Sequence, residues 1–417
     1  MDPLLVLIEP GLTHRLKEGG SRSTLEHGMG HWTEAIERFG ANWAGETLLI
    51  ANQAPANLVG ITSIHSVMNP IVDPTRSLTL RAKSLLVRAS DPLLAGAIGS
   101  KLMRGNWEAH EHSELNSILR SAAASDREVT IFAPTAIPVT AETIIRNARE
   151  YQRATGKNTR LKLRIRFSSQ GQERRALHPS YFGLQLKRWK ERAGAVDLKF
   201  GVEVETMAQR YSEIAGFSVS WVPWPNEVTG CSTSNADPLR TQPHIYIYAS
   251  RPEQGSHHSH EIVRSIQSRV GDGARFTVQI GKKGRLKSPR MIQELLSTPQ
   301  VLLSDSGLLP AQLHAQFSDA HMIVLPYEVD RYRGRGSALM WGALDHAIPL
   351  IAPAGTGFGD DIARHGIGLS YQHRREIPML VARILAERER YRVAIARYQE
   401  HRAAAVRAYF GEDEQLA

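Results

Sequence analysis

Apolar residues in this chain fall in short continuous runs, separated by stretches in which they recur every three or four positions. Short apolar runs bounded by turn residues suit strands buried on both faces, and the longer period suits crossover helices. In the first half the pattern predicts strands at residues 4–8, 47–51, 129–133, 161–167, 196–200 and 217–222. It predicts helices at 30–39, 139–153, 181–192 and 203–214, and a mainly helical stretch at 76–124, clearest over 107–123. Between 223 and 243 the pattern dissolves into a polar, proline-rich segment, the best boundary in the sequence. Alternation then resumes with tighter spacing. Strands are expected at 245–249, 276–280, 301–303, 322–325, 350–351 and 368–371, and helices at 257–269, 289–297, 310–318, 337–346 and 359–364. One or two further helices are expected over 377–410. Strand–helix alternation on this scale argues for parallel sheets with helical crossovers. The expectation is an α/β protein of two Rossmann-like, doubly wound domains, 1–235 and 236–417, facing each other across a cleft. It leaves open whether the last helices pack back on the first domain. Ligands of such sheets bind beyond the carboxyl ends of the strands.

Composition narrows the class. The 417 residues are 42% hydrophobic and 22% charged, as in a soluble globular protein with ample core. No run of eighteen apolar residues occurs, and the opening MDPLLVLIEPGL reads as a first strand, not as a signal peptide. Cys231 is the only cysteine, so intrachain disulfides are excluded and a reducing cytoplasm is the expected home. The net charge of +9 favours acidic partners such as nucleotides, and leaves room for peripheral contact with an anionic membrane face. The basic residues are dispersed. The segment RLKLRIR at 160–166 alternates like a strand, which puts its charges on one face, and aromatic interleaving of the kind that binds nucleic acid is missing. No nucleic-acid partner is expected.

The stretch 324–353 carries the most chemistry. It reads as a strand, a Gly/Arg-rich loop, a short helix and a second strand. A glycine-rich turn opening onto a helix N-terminus presents unpartnered amides to an anion. Arg333, Arg335 and Ser337 stand there to complement a diphosphate, the plain alternative being solvated loop charges. Lys282 and Lys283 follow a strand and form either a further cationic contact or a surface turn. His31 opens a helix, where an imidazole serves either as general base on a hydroxyl or as a cap. His110-Glu111-His112 lacks the spacing of a helical zinc site, and His257-His258-Ser259-His260 is expected to flank a helix. No metal site is assigned.

Three segments stand out together: Leu325-Pro326-Tyr327 with Ser337-Ala338, Gly342-Ala343-Leu344 and Ala347-Ile348-Pro349; the stretch YASRPEQG at 248–255; and Gly30-His31. In combination they resemble the GT-B glycosyltransferases with a GPGTF-like (family 1/4-type) donor domain. The resemblance implies metal-independent transfer of a sugar from a nucleotide-activated donor to a glycan or lipid-linked acceptor, with no cofactor, as in polysaccharide biosynthesis. It places Arg251, Gly255, Arg335, Gly336, Ser337 and Ala338 at the donor phosphates, Leu309 with Leu308 beside the nucleobase, and His31 at the chemistry. The sequence also departs from the pattern. The two acids of the family's Glu-x7-Glu fall on Gly334 and Gly342, and its phosphate-gripping lysine falls on Gln254. Glu328 and Asp330 are the nearest acids to that loop, and the stereochemical outcome stays open. Two other readings therefore stand beside transfer: a catalytically weakened GT-B protein that binds a nucleotide sugar or a partner enzyme, and a sugar-nucleotide epimerase of the same architecture.

Overall fold

The apolar runs of the first half line up as a parallel sheet in the computed structural model. It describes residues 4–9, 36–41, 43, 45–51, 58, 60–66, 117, 128–136, 138–157, 159–165, 179–225, 242–281, 285–286, 288–305, 308, 310–333 and 336–410. The expected helix at 30–39 is described only from 36, where the chain is helical to 41, and the expected helical stretch at 76–124 lies almost wholly outside the described residues. The chain divides into two units. The first holds the described residues up to Glu203 together with Met207–Val222, and the second holds Val204–Thr206 and everything from Pro223 onward.

The first unit contains β1 (Leu4–Glu9), β2 (Glu46–Ala51), β3 (Ser63–Ser66), β4 (Val129–Ala136), α1 (Pro138–Thr155), β5 (Thr159–Ile165), α2 (Pro179–Ala193) and β6 (Asp197–Val202). It ends with α3 (Glu205–Ala215), whose first two residues group with the second unit, and β7 (Val219–Trp221). The strands pair in the order β3-β2-β1-β4-β5-β6-β7, and every pairing is parallel. Leu5, Val6, Leu7, Ile131 and Leu161 are fully buried. The strand β3, absent from the sequence expectation, is a four-residue Ser-Ile-His-Ser edge with no apolar run to announce it.

The charges of β5 do share a face, which is covered at Lys162 and Arg164 and partly open at Arg160. Lys162 and Arg164 are buried. Arg164 donates to the carbonyls of Val222 at 2.6 Å and Pro134 at 3.1 Å, and to the Glu203 carboxylate at 3.2 Å. One planar guanidinium thus engages β4 directly, and the residues that immediately follow β6 and β7. A buried charge persists only when its donors are satisfied in this way.

The second unit begins with β8 (His244–Tyr248), two 3-10 turns (Pro252–Gln254 and Ser256–His258), α4 (Ser259–Val270), β9 (Arg275–Gln279), α5 (Pro289–Leu296), β10 (Val301–Ser304) and α6 (Pro310–Phe317). It continues with β11 (Met322–Val324), the single turn α7 (Val329–Tyr332), α8 (Ala338–Asp345), β12 (Leu350–Pro353), α9 (Gly357–His365), β13 (Gly368–Tyr371), α10 (Ile377–Ala386) and α11 (Arg388–Phe410). Its sheet runs β10-β9-β8-β11-β12-β13, all parallel. Counted within the unit, that order is 3-2-1-4-5-6, the doubly wound arrangement whose ligand crevice opens between the first and fourth strands. Here those strands are β8 and β11. Ile245, Ile247, Val278 and Val324 form the core of this sheet, with Ile262 and Ile266 of α4 and Val381 and Ile384 of α10 packed on them.

The end of α8 shows how local sequence sets the path. The Ile348 amide bonds to the Ala343 carbonyl at 3.0 Å and the Ala347 amide to the Leu344 carbonyl at 2.9 Å, the two bonds of a Schellman stop. Its left-handed position is Ala347, at φ 54°. A side chain there is strained by about 1–2 kcal/mol, partly offset by the smaller backbone entropy of alanine when unfolded. Ala347→Gly is therefore expected to raise stability by about 0.5–1 kcal/mol, read as a higher urea midpoint at unchanged slope.

Candidate functional site

Two of the sequence segments meet at the carboxyl ends of β8 and β11. The strand β8 runs out through Ala249 and Ser250 to Arg251, which precedes the turn Pro252–Gln254. Gly255 then takes φ 79°, and a Cβ built on it would lie 2.1 Å from the Pro326 carbonyl oxygen. Only glycine permits that approach, so the loop after β8 lies directly on the loop after β11. The Gly255 amide is used within its own turn, bonded to the Pro252 carbonyl at 2.9 Å.

Gln254, at the position of the family's lysine, points inward. It is buried, accepts from the Ser250 hydroxyl, and donates to the Tyr327 hydroxyl at 3.2 Å. Ser337 lies beside Tyr327 and opposes the rise of its hydroxyl pKa. The Tyr327 ring packs against Tyr332 at 4.4 Å, Phe358 at 5.5 Å and Tyr248 at 6.2 Å between centroids. Burial pushes the hydroxyls of Tyr248, Tyr327 and Tyr332 above the ordinary phenol range, while the Arg251 charge pulls all three down. Arg251 itself is exposed. The arrangement is a rigid aromatic floor under a solvent-facing cation.

Ser337 stands at the N-cap of α8, is buried, and makes no side-chain cap to the helix. The cap residue's side chain thus satisfies none of the first-turn amides of α8, and a helix start in that condition attracts anions. Gly336 precedes it and Ala338 is the first helical residue, both half-buried. The structure therefore gathers Arg251, Gly255, Ser337 and Ala338 around one switch point. Arg335, Gly334, Leu309, His31, Lys282 and Lys283 lie outside the described residues. Leu308 is described and half-buried.

The missing acids have a local reason at one position. A Cβ added to Gly342 would sit 3.1 Å from the Phe317 ring, because α8 passes close over α6 there. A glutamate at 342 would need that ring to move. Of the two nearby acids, Asp330 is exposed and pairs with Arg333 at 3.1 Å, while Glu328 is half-buried and opens α7.

His257 and His258 close the second 3-10 turn and lead into α4, as a flanking role requires. Burial, followed by the charges of Arg374 and His257, pushes His258 down to about 4. Between α4 and α5, Glu294 holds His260 at 3.1 Å and Arg290 at 3.1 Å.

One cluster was invisible to sequence reasoning. The Asp361 carboxylate of α9 accepts the Glu205 amide at 2.9 Å, the Thr206 amide at 3.0 Å and the Thr206 hydroxyl. Burial raises Asp361 above the ordinary carboxylate range, opposed by these hydrogen bonds from Thr206 and Glu205. Beside it, the Glu205 carboxylate meets His365 Nε2 at 2.5 Å and His401 Nε2 at 3.6 Å. Residues 160 positions apart give no local signal.

The fold is GT-B, the two-Rossmann architecture of a large group of glycosyltransferases. Over its whole length the chain is similar to HepE from Anabaena, solved in complex with UDP and glucose. The TM-score is 0.53 at 9% identity, covering 100% of this chain and 99% of that one. It is also similar to the N-terminal domain of trehalose-6-phosphate phosphatase from Candida albicans, with TM-score 0.55, 10% identity, and coverage of 100% and 97%. A glycosyltransferase from Rickettsia africae aligns with TM-score 0.50, 8% identity, and coverage of 100% and 97%. No family model and no curated protein matches the sequence. Likeness at such identity establishes the fold.

Proposed function

We propose that this protein is a glycosyltransferase that takes a sugar from a nucleotide-activated donor and passes it to a glycan or lipid-linked acceptor, without a metal at the diphosphate. The observation that carries the reading is the meeting of the Arg251 turn with the Pro326–Tyr327 loop at the switch point of the second sheet, beside the uncapped start of α8. A nucleoside diphosphate leaves as an anion. Fixed cations and amide dipoles aimed at it stabilise that charge as the bond to the sugar breaks. Arg251, with Arg335 from the neighbouring loop, supplies the cations in this reading, and the α8 amides supply the dipoles. His31 takes the acceptor proton. HepE, which shares the fold, is solved with UDP-glucose, and this supports a nucleotide-sugar donor here.

A second reading is favoured by one observation. Where the family's second acid belongs, Gly342 is crowded by Phe317. The site then binds a nucleotide sugar, with turnover lost or weakened. No helix among the described residues is long and apolar enough to cross a membrane. The proposed location is the cytoplasm, with the net charge of +9 favouring contact with an anionic inner membrane face.

A thermal-shift panel of sugar nucleotides identifies the donor, and release of nucleoside diphosphate with acceptor present distinguishes transfer from binding alone. Release of an epimerised sugar would instead mark the epimerase. Arg251→Ala and Arg335→Ala are each expected to weaken nucleoside diphosphate binding by about tenfold to a hundredfold, the worth of a charge-assisted hydrogen bond. Binding of the bare nucleoside should change little. Unaltered diphosphate affinity in both variants would remove the phosphate assignment.

A further inference from the structure

Glu205, His365 and His401 place one carboxylate oxygen and two imidazole nitrogens within 4.8 Å of one another. We propose that these three side chains form a binding site for a divalent transition-metal ion of the zinc type, with water completing the coordination. The proposal is independent of the donor reading, since none of the three residues belongs to the Arg251 turn or the α8 loop.

The donor set selects the ion. Two imidazoles and a carboxylate suit zinc and its neighbours in the transition series, whereas magnesium and calcium favour all-oxygen shells. Zinc bonds of about 2.0–2.2 Å in a tetrahedron set ligand atoms roughly 3.3–3.5 Å apart. The Glu205–His401 separation of 3.6 Å already matches, and the Glu205–His365 separation of 2.5 Å needs to open by about 1 Å, within reach of side-chain rotation. With three protein ligands, the fourth position is left to solvent, which reaches the half-exposed His401.

The surroundings hold the ligands as a metal site requires. Asp361 fixes the backbone of 205 and 206 through their two amides, which aims the Glu205 side chain before any ion arrives. His365 lies in the last turn of α9, where the helix dipole favours a cation, one turn beyond Asp361 on the same face. The Tyr398 ring packs beside His365 at 4.7 Å between centroids, tilted by 54°. The His365 and His401 rings are 5.5 Å apart between centroids, turned 40° to each other. Once bound, the ion fastens residues 204–206 to α9 and α11.

The test uses the full chain, stripped with a chelator and dialysed. Zinc is titrated against a chromogenic competitor, and cobalt(II) serves as a spectroscopic substitute. The expected result is one tightly held zinc per chain, an intense visible cobalt spectrum of tetrahedral type, and a melting temperature raised by several degrees with zinc. His401→Ala and Glu205→Gln are each expected to abolish the stoichiometric site and the cobalt bands. His257→Ala, which removes a histidine elsewhere, should leave both intact. His401 is half exposed, so its removal leaves the fold in place, and the metal-free melting curve checks this. The proposal is overturned if the wild-type chain takes up no stoichiometric zinc. It is equally overturned if His401→Ala and Glu205→Gln bind zinc as the wild type does, which would show adventitious histidine binding only.

Discussion

Asp345→Ala is expected to destabilise the second unit by about 3–5 kcal/mol, the cost of leaving a buried charge without its partner. The Arg402 side chain is fully buried, and its Nη2 reaches Asp345 at 2.5 Å and the Pro225 carbonyl at 3.2 Å. Its guanidinium also lies 5.5 Å from the Trp341 ring centroid. Among the described residues, its Nε and Nη1 have no hydrogen-bond partner. Most of the electrostatic compensation for this arginine therefore rests on one carboxylate. Asp345→Asn, which keeps an acceptor and loses the charge, should cost less. Adding Arg402→Met to Asp345→Ala should recover much of the loss, because an apolar pair can replace a buried ion pair at little net cost. Urea unfolding of the wild type, Asp345→Ala, Arg402→Met and the double variant closes this cycle. Additive losses would show that Asp345 and Arg402 do not depend on each other.

Gly255→Ala is the second large effect, expected to cost about 2–4 kcal/mol from left-handed strain and overpacking together. The added methyl would overlap the Pro326 carbonyl oxygen, which is backbone and cannot swing aside. The loops after β8 and β11 would have to part, carrying Gln254 away from Tyr327. Diphosphate affinity should therefore fall along with the melting temperature. By comparison, alanine at Gly273, which has open space around its Cβ position and no unusual φ, should alter neither to a similar degree. If Gly255→Ala melts and binds like the wild type, the two loops do not depend on this approach.

Most of the strand pattern was legible because parallel strands with both faces covered must be apolar throughout. Runs such as 4–8, 245–249 and 322–325 announced β1, β8 and β11 for that reason. The edge strand β3 escaped because only one of its four residues is apolar. Around the candidate site, sequence supplied the departures and structure supplied their meaning. Gln254 could be read as a missing lysine, but its inward turn toward Tyr327 depends on a loop 73 residues later. Gly342 could be read as a missing acid, but the closeness of Phe317 is a matter of helix packing that no local pattern encodes. The cluster of Glu205, His365 and His401 drew on three distant segments, so neither spacing nor periodicity could point to it.

Arg164 has a consequence for how this protein can change. Its guanidinium joins β5 to the Pro134 carbonyl of β4, and to Glu203 and Val222 just beyond β6 and β7. A lysine could satisfy one of those acceptors at a time, whereas the planar fork of arginine meets all three. The mutual spacing of these strand ends is therefore set in part by one side chain of β5. Connections that keep the residues next to the strands can be lengthened or shortened further out without spreading the strands that carry them. Changes in those connections are then tolerated as long as Arg164 keeps its three acceptors, Glu203 and the carbonyls of Pro134 and Val222.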